Sequence, residues 1–174
     1  MGQLLRVLVV LFSVVAAMAS ATKPAEPTTP IARTASSGAG FDATWSAVVD
    51  VFADHNWAIT TIDKASGIIA TDWMNAGADG ERFADCGSAP MLHEDPIEAR
   101  FNVRVKGDAA DATMTVNVSF RRTRSLPDRT DSHVVQCNTR GVVEALIQDE
   151  ALATARRATR RRAIATDAGV APAD

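Results

Sequence analysis

Four side chains have the types needed for covalent or metal chemistry: Cys86, His93, His133 and Cys137. A thiolate nucleophile at Cys86 would need His93 or His133 as base and Asp85 or Asp95 to orient that base. The same four residues supply the two sulfurs and two imidazoles that zinc accepts, but none of the tight paired spacings that mark such sites is present. The third possibility is a Cys86–Cys137 disulfide, and the start of the chain favours it. Arg6, the apolar run Val7 to Val15 and the small residues Ala19-Ser20-Ala21 have the layout of a secretory signal peptide over residues 1–21. The run is short for a bilayer span, so a retained anchor is the weaker reading. Export places both cysteines in an oxidising compartment, where a lone pair of cysteines is expected to join. Closing a loop of about 50 residues would stabilise the fold by roughly 4 kcal/mol through the unfolded chain. The expected location is the periplasm, with the outer membrane as a neighbour, and no cysteine near Ala21 offers a lipid acceptor.

Beyond these four residues the sequence has no Gly-rich phosphate loop, no Gly-x-Ser-x-Gly elbow and no His-Glu-x-x-His pair. An enzyme is not expected, nor is a metal or cofactor. His55 reads as a surface residue favoured by a helix C-terminus, and Glu94-Asp95 before Pro96 as solvated loop. What remains is charge. Residues 41–95 carry ten acids and two bases, a balance of −8, whereas residues 96–165 carry thirteen bases and eight acids, a balance of +5. The exposed side of the later strands would present Arg100, Arg104, Lys106, Arg121 and Arg122. Arg156, Arg157, Arg160, Arg161 and Arg162 stud the last helix, with 156 over 160 and 157 over 161. Such a run is either a solvated helix end whose cations complement the dipole, or a contact surface for an anionic membrane or an acidic partner. The 174-residue chain as a whole has net charge −3 and a pI near 5.6, which gives no case for a nucleic-acid partner. Its 47% apolar content and two cysteines exclude full disorder and a disulfide-dense miniprotein.

The elements that must position these groups follow from period. Residues 22–40 hold Pro24, Pro27, Pro30, several Thr and Ser, and Gly38 and Gly40, the composition of a flexible arm. Phe41, Trp45, Val48, Val49 and Phe52 recur at helical spacing, which predicts an amphipathic helix over about residues 42–55, with Asp42 as N-cap or first-turn acid. Trp57 to Ile62 and Ile68 to Trp73 are β-rich and flank Asp63-Lys-Ala-Ser-Gly67, a hairpin. Residues 75–96 read as a long loop. Ile97, Ala99, Phe101, Val103 and Val105 alternate with polar residues, as do Met114, Val116, Val118 and Phe120, so two strands with one wet face are joined at Gly107 to Ala112. A short fifth strand at His133 to Cys137 precedes Val142, Val143, Leu146, Ile147, Ala151 and Leu152, again at helical spacing, with Asn138 or Thr139 as cap. The expected fold is α+β: an antiparallel sheet of four or five strands with both helices on one face, over residues 41–152. Residues 153–174 would form an Arg-rich helix end and a disordered tail.

Residues 45–73 carry a sharper signal: Trp45 opening the helix, Ile59, the Asp63-Lys64-Ala65-Ser66 turn before Gly67, Ile69, and Thr71-Asp72-Trp73 closing the second strand. In these residues the chain resembles the helix-grip domain of the BamC (NlpB) lipoproteins, accessory subunits of the outer-membrane β-barrel assembly machinery. The likeness extends over about residues 41–152. It implies that Trp45 and Trp73 are apolar anchors joining helix to sheet, and that the protein is a non-enzymatic scaffold or accessory subunit. Family members contact their partner through an unstructured N-terminal stretch, a role residues 22–40 would fill, alongside the polar strand face and the Arg-rich helix. A second expectation is a carrier of small apolar ligands, since a curved sheet closed over a helix is able to enclose a cavity.

Overall fold

The computed structural model describes residues 33–127 and 131–167. The expected signal peptide, the start of the arm and the tail beyond Asp167 lie outside the described residues. In chain order the elements are β1 (Thr34–Ser36), α1 (Phe41–Asp54), β2 (Ile59–Asp63), β3 (Ile68–Thr71), β4 (Met74–Asn75), α2 (Gly80–Phe83), β5 (Ala84–Asp85), β6 (His93–Glu94), β7 (Glu98–Gly107), β8 (Ala112–Ser125), β9 (Ser132–Thr139) and α3 (Val142–Asp167). The fold is α+β, with an antiparallel sheet in the order β2-β3-β7-β8-β9-β5. β4 also lies on β7, and β1 and β6 on β8. The described sheet thus has nine strands, more than the four or five expected.

Its centre is the β7–β8 hairpin, paired from Glu98↔Arg121 to Gly107↔Ala112. Alternation does the sorting. Ala99, Phe101, Val103, Val105, Met114, Val116, Val118 and Phe120 are buried on one face, and Arg100, Asn102, Arg104 and Lys106 are exposed on the other. On the buried face α1 sets Trp45, Val48, Val51 and Phe52, and α3 sets Val143, Ile147, Ala151 and Ala155. Each fully buried Val or Phe contributes roughly 1.5–3 kcal/mol, so this layer outweighs any surface contact in holding the helices down. Ala155 is fully buried and α3 continues without a break to Asp167, so the folded unit does not stop at residue 152.

The turn motif works as a backbone device. Asp63 Oδ1 accepts from the N–H groups of Ala65 (3.0 Å) and Ser66 (3.3 Å), and Oδ2 accepts from Ser66 Oγ at 2.7 Å. These bonds, Ser66 first, hold the Asp63 carboxyl below its ordinary pKa. Gly67 takes φ 71°, and a Cβ there would lie 2.0 Å from the Val105 carbonyl oxygen, so only glycine fits.

Three expectations are corrected. The arm does not extend to residue 40: β1 pairs Thr34–Ser36 with Thr115–Thr113, and Ser37 and Ala39 are buried. Residues 75–96 are not a plain loop, since β4, α2, β5 and β6 tie them to the sheet. The last helix begins at Val142 rather than beside Asn138 or Thr139. Thr139 still reaches its first turn, accepting from the Gly141 N–H and donating to Glu144 Oε2 at 2.9 Å.

Glu144 is fully buried, with Oε1 lacking a hydrogen-bond partner, as does Gln148 Nε2 one turn on. Burial raises its pKa above the ordinary 4.5, against the smaller opposing effect of its hydrogen bonds. Below 4.5 the group is protonated in folded and unfolded chains alike and costs nothing; as pH rises past that value the unfolded chain ionises first, so stability falls until the folded group also ionises. Glu144→Gln should therefore leave stability at pH 4 nearly unchanged. At pH 7 it should raise stability by about 1 kcal/mol, read from urea unfolding at both pH values.

Candidate functional site

The site residues fall into four groups. Cys86 and Cys137 are bonded to each other, 51 residues apart in sequence. The bond removes both sulfurs from the zinc and nucleophile readings, and no group of three or more metal-ligating side chains occurs among the described residues. His93 is exposed on β6, 3.5 Å from Asp95, and His133 on β9 pairs in register with Arg124.

Beside the disulfide lies a partly buried ion cluster that sequence reading missed. Arg122 does not sit on the wet face with Arg121. It follows the inward alternation after Phe120 and binds Glu81 (2.6 Å) and Glu94 (3.1 Å). Arg124, its side chain 8% exposed, binds Glu94 at 2.6 Å and donates to the carbonyls of Cys86 (3.0 Å) and Gly87 (2.7 Å). Glu94 is therefore a structural anion and not solvated loop. The signal was present: two arginines at inward positions of a strand demand carboxylates, and the preceding segment holds them.

The third group is the outer face of the sheet. Trp73 is not a partner of Trp45 in joining helix to sheet. The chain departs from the ladder after Thr71, whose Oγ1 accepts from the Phe101 N–H at 3.0 Å. Beyond that departure the indole lies on the hydrated side, with the Arg121 guanidinium 4.1 Å and that of Arg100 4.9 Å from its ring centre. Arg121 is fixed by Glu98 at 2.7 Å. Arg104 and Lys106 continue the row along β7, and among the described residues neither has an ion-pair partner. Trp45 stays in the core, stacked on Phe41 at 6.0 Å. The ring that links helix to sheet is Trp57, edge-on to Phe52 (5.6 Å) and Phe101 (4.5 Å). His55 is exposed, as expected, and there stacks on Trp57 at 4.6 Å and bonds Glu150 at 2.8 Å.

No protein-family model matches this chain, and no curated protein is significantly similar to it. Function must be argued from the site itself.

The helix arginines do not join the strand set, because α3 lies on the opposite side of the sheet. Arg156 donates to the Ser37 carbonyl (2.9 Å) and Arg157 to Thr154 Oγ1 (3.2 Å). Arg160 and Arg161 are exposed, as is Ile164 at 61%. The segment past Ala155 thus runs beyond the core as a cationic overhang. Among the described residues no helix is long and apolar enough to cross a membrane.

Two outcomes test these assignments. Replacing both cysteines by alanine should lower the unfolding free energy by about 2–4 kcal/mol and open residues 75–96 to proteolysis. Trp73→Ala should cost about 1 kcal/mol or less, against roughly 3–5 kcal/mol for Trp45→Ala, both read by denaturant unfolding. Equal losses would put Trp73 back in the core.

Proposed function

We propose that the protein is a non-enzymatic, exported envelope protein of the BamC accessory or scaffold kind, and that it engages an acidic protein partner on the outer face of its sheet. The observation that carries this reading is Trp73 held between Arg100 and Arg121 on the hydrated side. A half-exposed indole fixed by two guanidiniums is already ordered, so a partner loses little entropy in meeting it, and Trp and Arg are the residues that concentrate energy at interfaces. Arg104 and Lys106 extend the cationic row without internal neutralisation, which supports a carboxylate-rich counterpart. Asn102 and Asn117, opposite each other in the ladder, add hydrogen-bonding groups between the cations. The α3 overhang would supply separate contact with anionic lipid headgroups. Neither surface requires a cofactor.

The test is crosslinking in intact cell envelopes with the full chain as bait, read by mass spectrometry. Subunits of the barrel-assembly machinery should be recovered through the outer face, less so with Arg104→Glu/Lys106→Glu and less at high salt, where screening shortens to a few ångströms. Recovery of no assembly subunit removes the scaffold role. Recovery that ignores both variant and salt removes the outer face as the surface.

A further inference from the structure

We propose a second binding site on the helix side of the sheet: an aromatic-lined cavity that takes a small apolar molecule with a cationic head. The cavity, about 270 Å³, opens between His55 and Trp57 just after α1, the start of α3 and the segment from Met74 to Phe83. Ala99 leaves room in the floor beside Phe101, and Leu146 and Phe83 close the sides. The far wall is Trp57, whose ring is locked by its edge contacts to Phe52 and Phe101 and by the stacked His55. Such a surface needs no rearrangement to accept a flat ring. A cavity of about 150 Å³ holds benzene, so this one accommodates roughly ten to twelve non-hydrogen atoms.

Charge at the mouth selects the head group. Asp79 stands on the exposed rim, 3.6 Å from Arg82. Through His55 the cavity adjoins a groove between α1 and α3 that holds Asp50, Asp54, Asp149 and Glu150 against one cation, Arg157. Asp79 is the one carboxylate lining the cavity; the adjoining groove adds four more against Arg157 and His55, and this surplus of negative charge beside the mouth favours an ammonium and disfavours a carboxylate there. The site is independent of the outer face, which lies across the sheet from it.

Tryptamine and indole-3-propionate share a ring that fits this volume and carry opposite charges at the end of a short chain. In an NMR titration of the full chain, tryptamine should give saturable shifts of the Trp57 indole N–H and the Val143 and Leu146 methyls. It should bind at least tenfold more tightly than indole-3-propionate, a difference of about 1.4 kcal/mol. Ala99→Leu should abolish those shifts by filling the floor; if circular dichroism shows that variant unfolded, Leu146→Phe, at the less buried side wall, does the same. Asp79→Lys should narrow the preference for tryptamine. Absence of saturable shifts at these groups, equal binding of the two probes, or undiminished binding by a folded filled variant would overturn the site.

Discussion

Ten consecutive pairs between β7 and β8 are the constraint on which the other elements depend. Side chains of a strand alternate strictly, so a slip of one residue would turn Phe101, Val103, Met114 and Val116 out to water and bring Arg104 and Asn117 in. The turn guards against that slip. Asp108 Oδ1 accepts from the N–H groups of Ala110 (2.8 Å) and Asp111 (3.1 Å), which also holds its carboxyl below the ordinary range. Asp111 in turn bonds Ser36 Oγ and the Gly38 N–H, so the residues that set the register of β7 against β8 also fasten β1 and the approach to α1. With the register fixed, one face is committed to the helices and the other to whatever the cations meet.

The parts of this arrangement legible in the sequence were those with enough residues to show a period or a chemical necessity. The stripe Trp45, Val48, Phe52 foretold α1 to within a residue at each end, the alternation foretold β7 and the first half of β8, and two cysteines in a chain whose start reads as an export signal foretold the disulfide. The short strands β1, β4, β5 and β6 were not legible, because two or three residues have no period and these strands exist through backbone bonds to β7, β8 and β9 whose partners lie far away in sequence. Trp73 was misassigned for a different reason. A tryptophan in a β-rich run is most simply read as core, and only the departure from the ladder after Thr71 turns it to the wet face. Arg122 and Arg124 were hidden by the habit of placing arginine outside, although they continue the inward series of Met114, Val116, Val118 and Phe120.

The segment between β3 and β7 shows how a stretch that buries few apolar side chains of its own is held. Arg124 binds it through Glu94 and through the carbonyls beside Cys86, and the disulfide ties the same point to β9. One attachment is electrostatic and partly buried, where losing either partner would strand a charge; the other is covalent and acts through the unfolded chain. Together they keep Met74 to Phe83 lying over Ala99 and Phe101 without filling the space beneath, and the cavity is the consequence.

The division of charge along the chain, acidic before residue 96 and basic after it, does not survive as a division in space. Arg122 and Arg124 pair across the two halves with Glu81 and Glu94, while Arg121 pairs with Glu98 of its own half. The remaining charge sorts by layer. Arg104 and Lys106 remain on the outer face beside the Arg100–Trp73–Arg121 stack, while Asp50, Asp54, Asp149 and Glu150 gather between the helices. A cationic row on the outer face and an acidic groove between the helices therefore lie on opposite sides of the apolar layer, and the end of α3 adds exposed arginines on the helix side. The same alternation that buries the core thus keeps the cationic row of the outer face apart from the acidic groove between the helices.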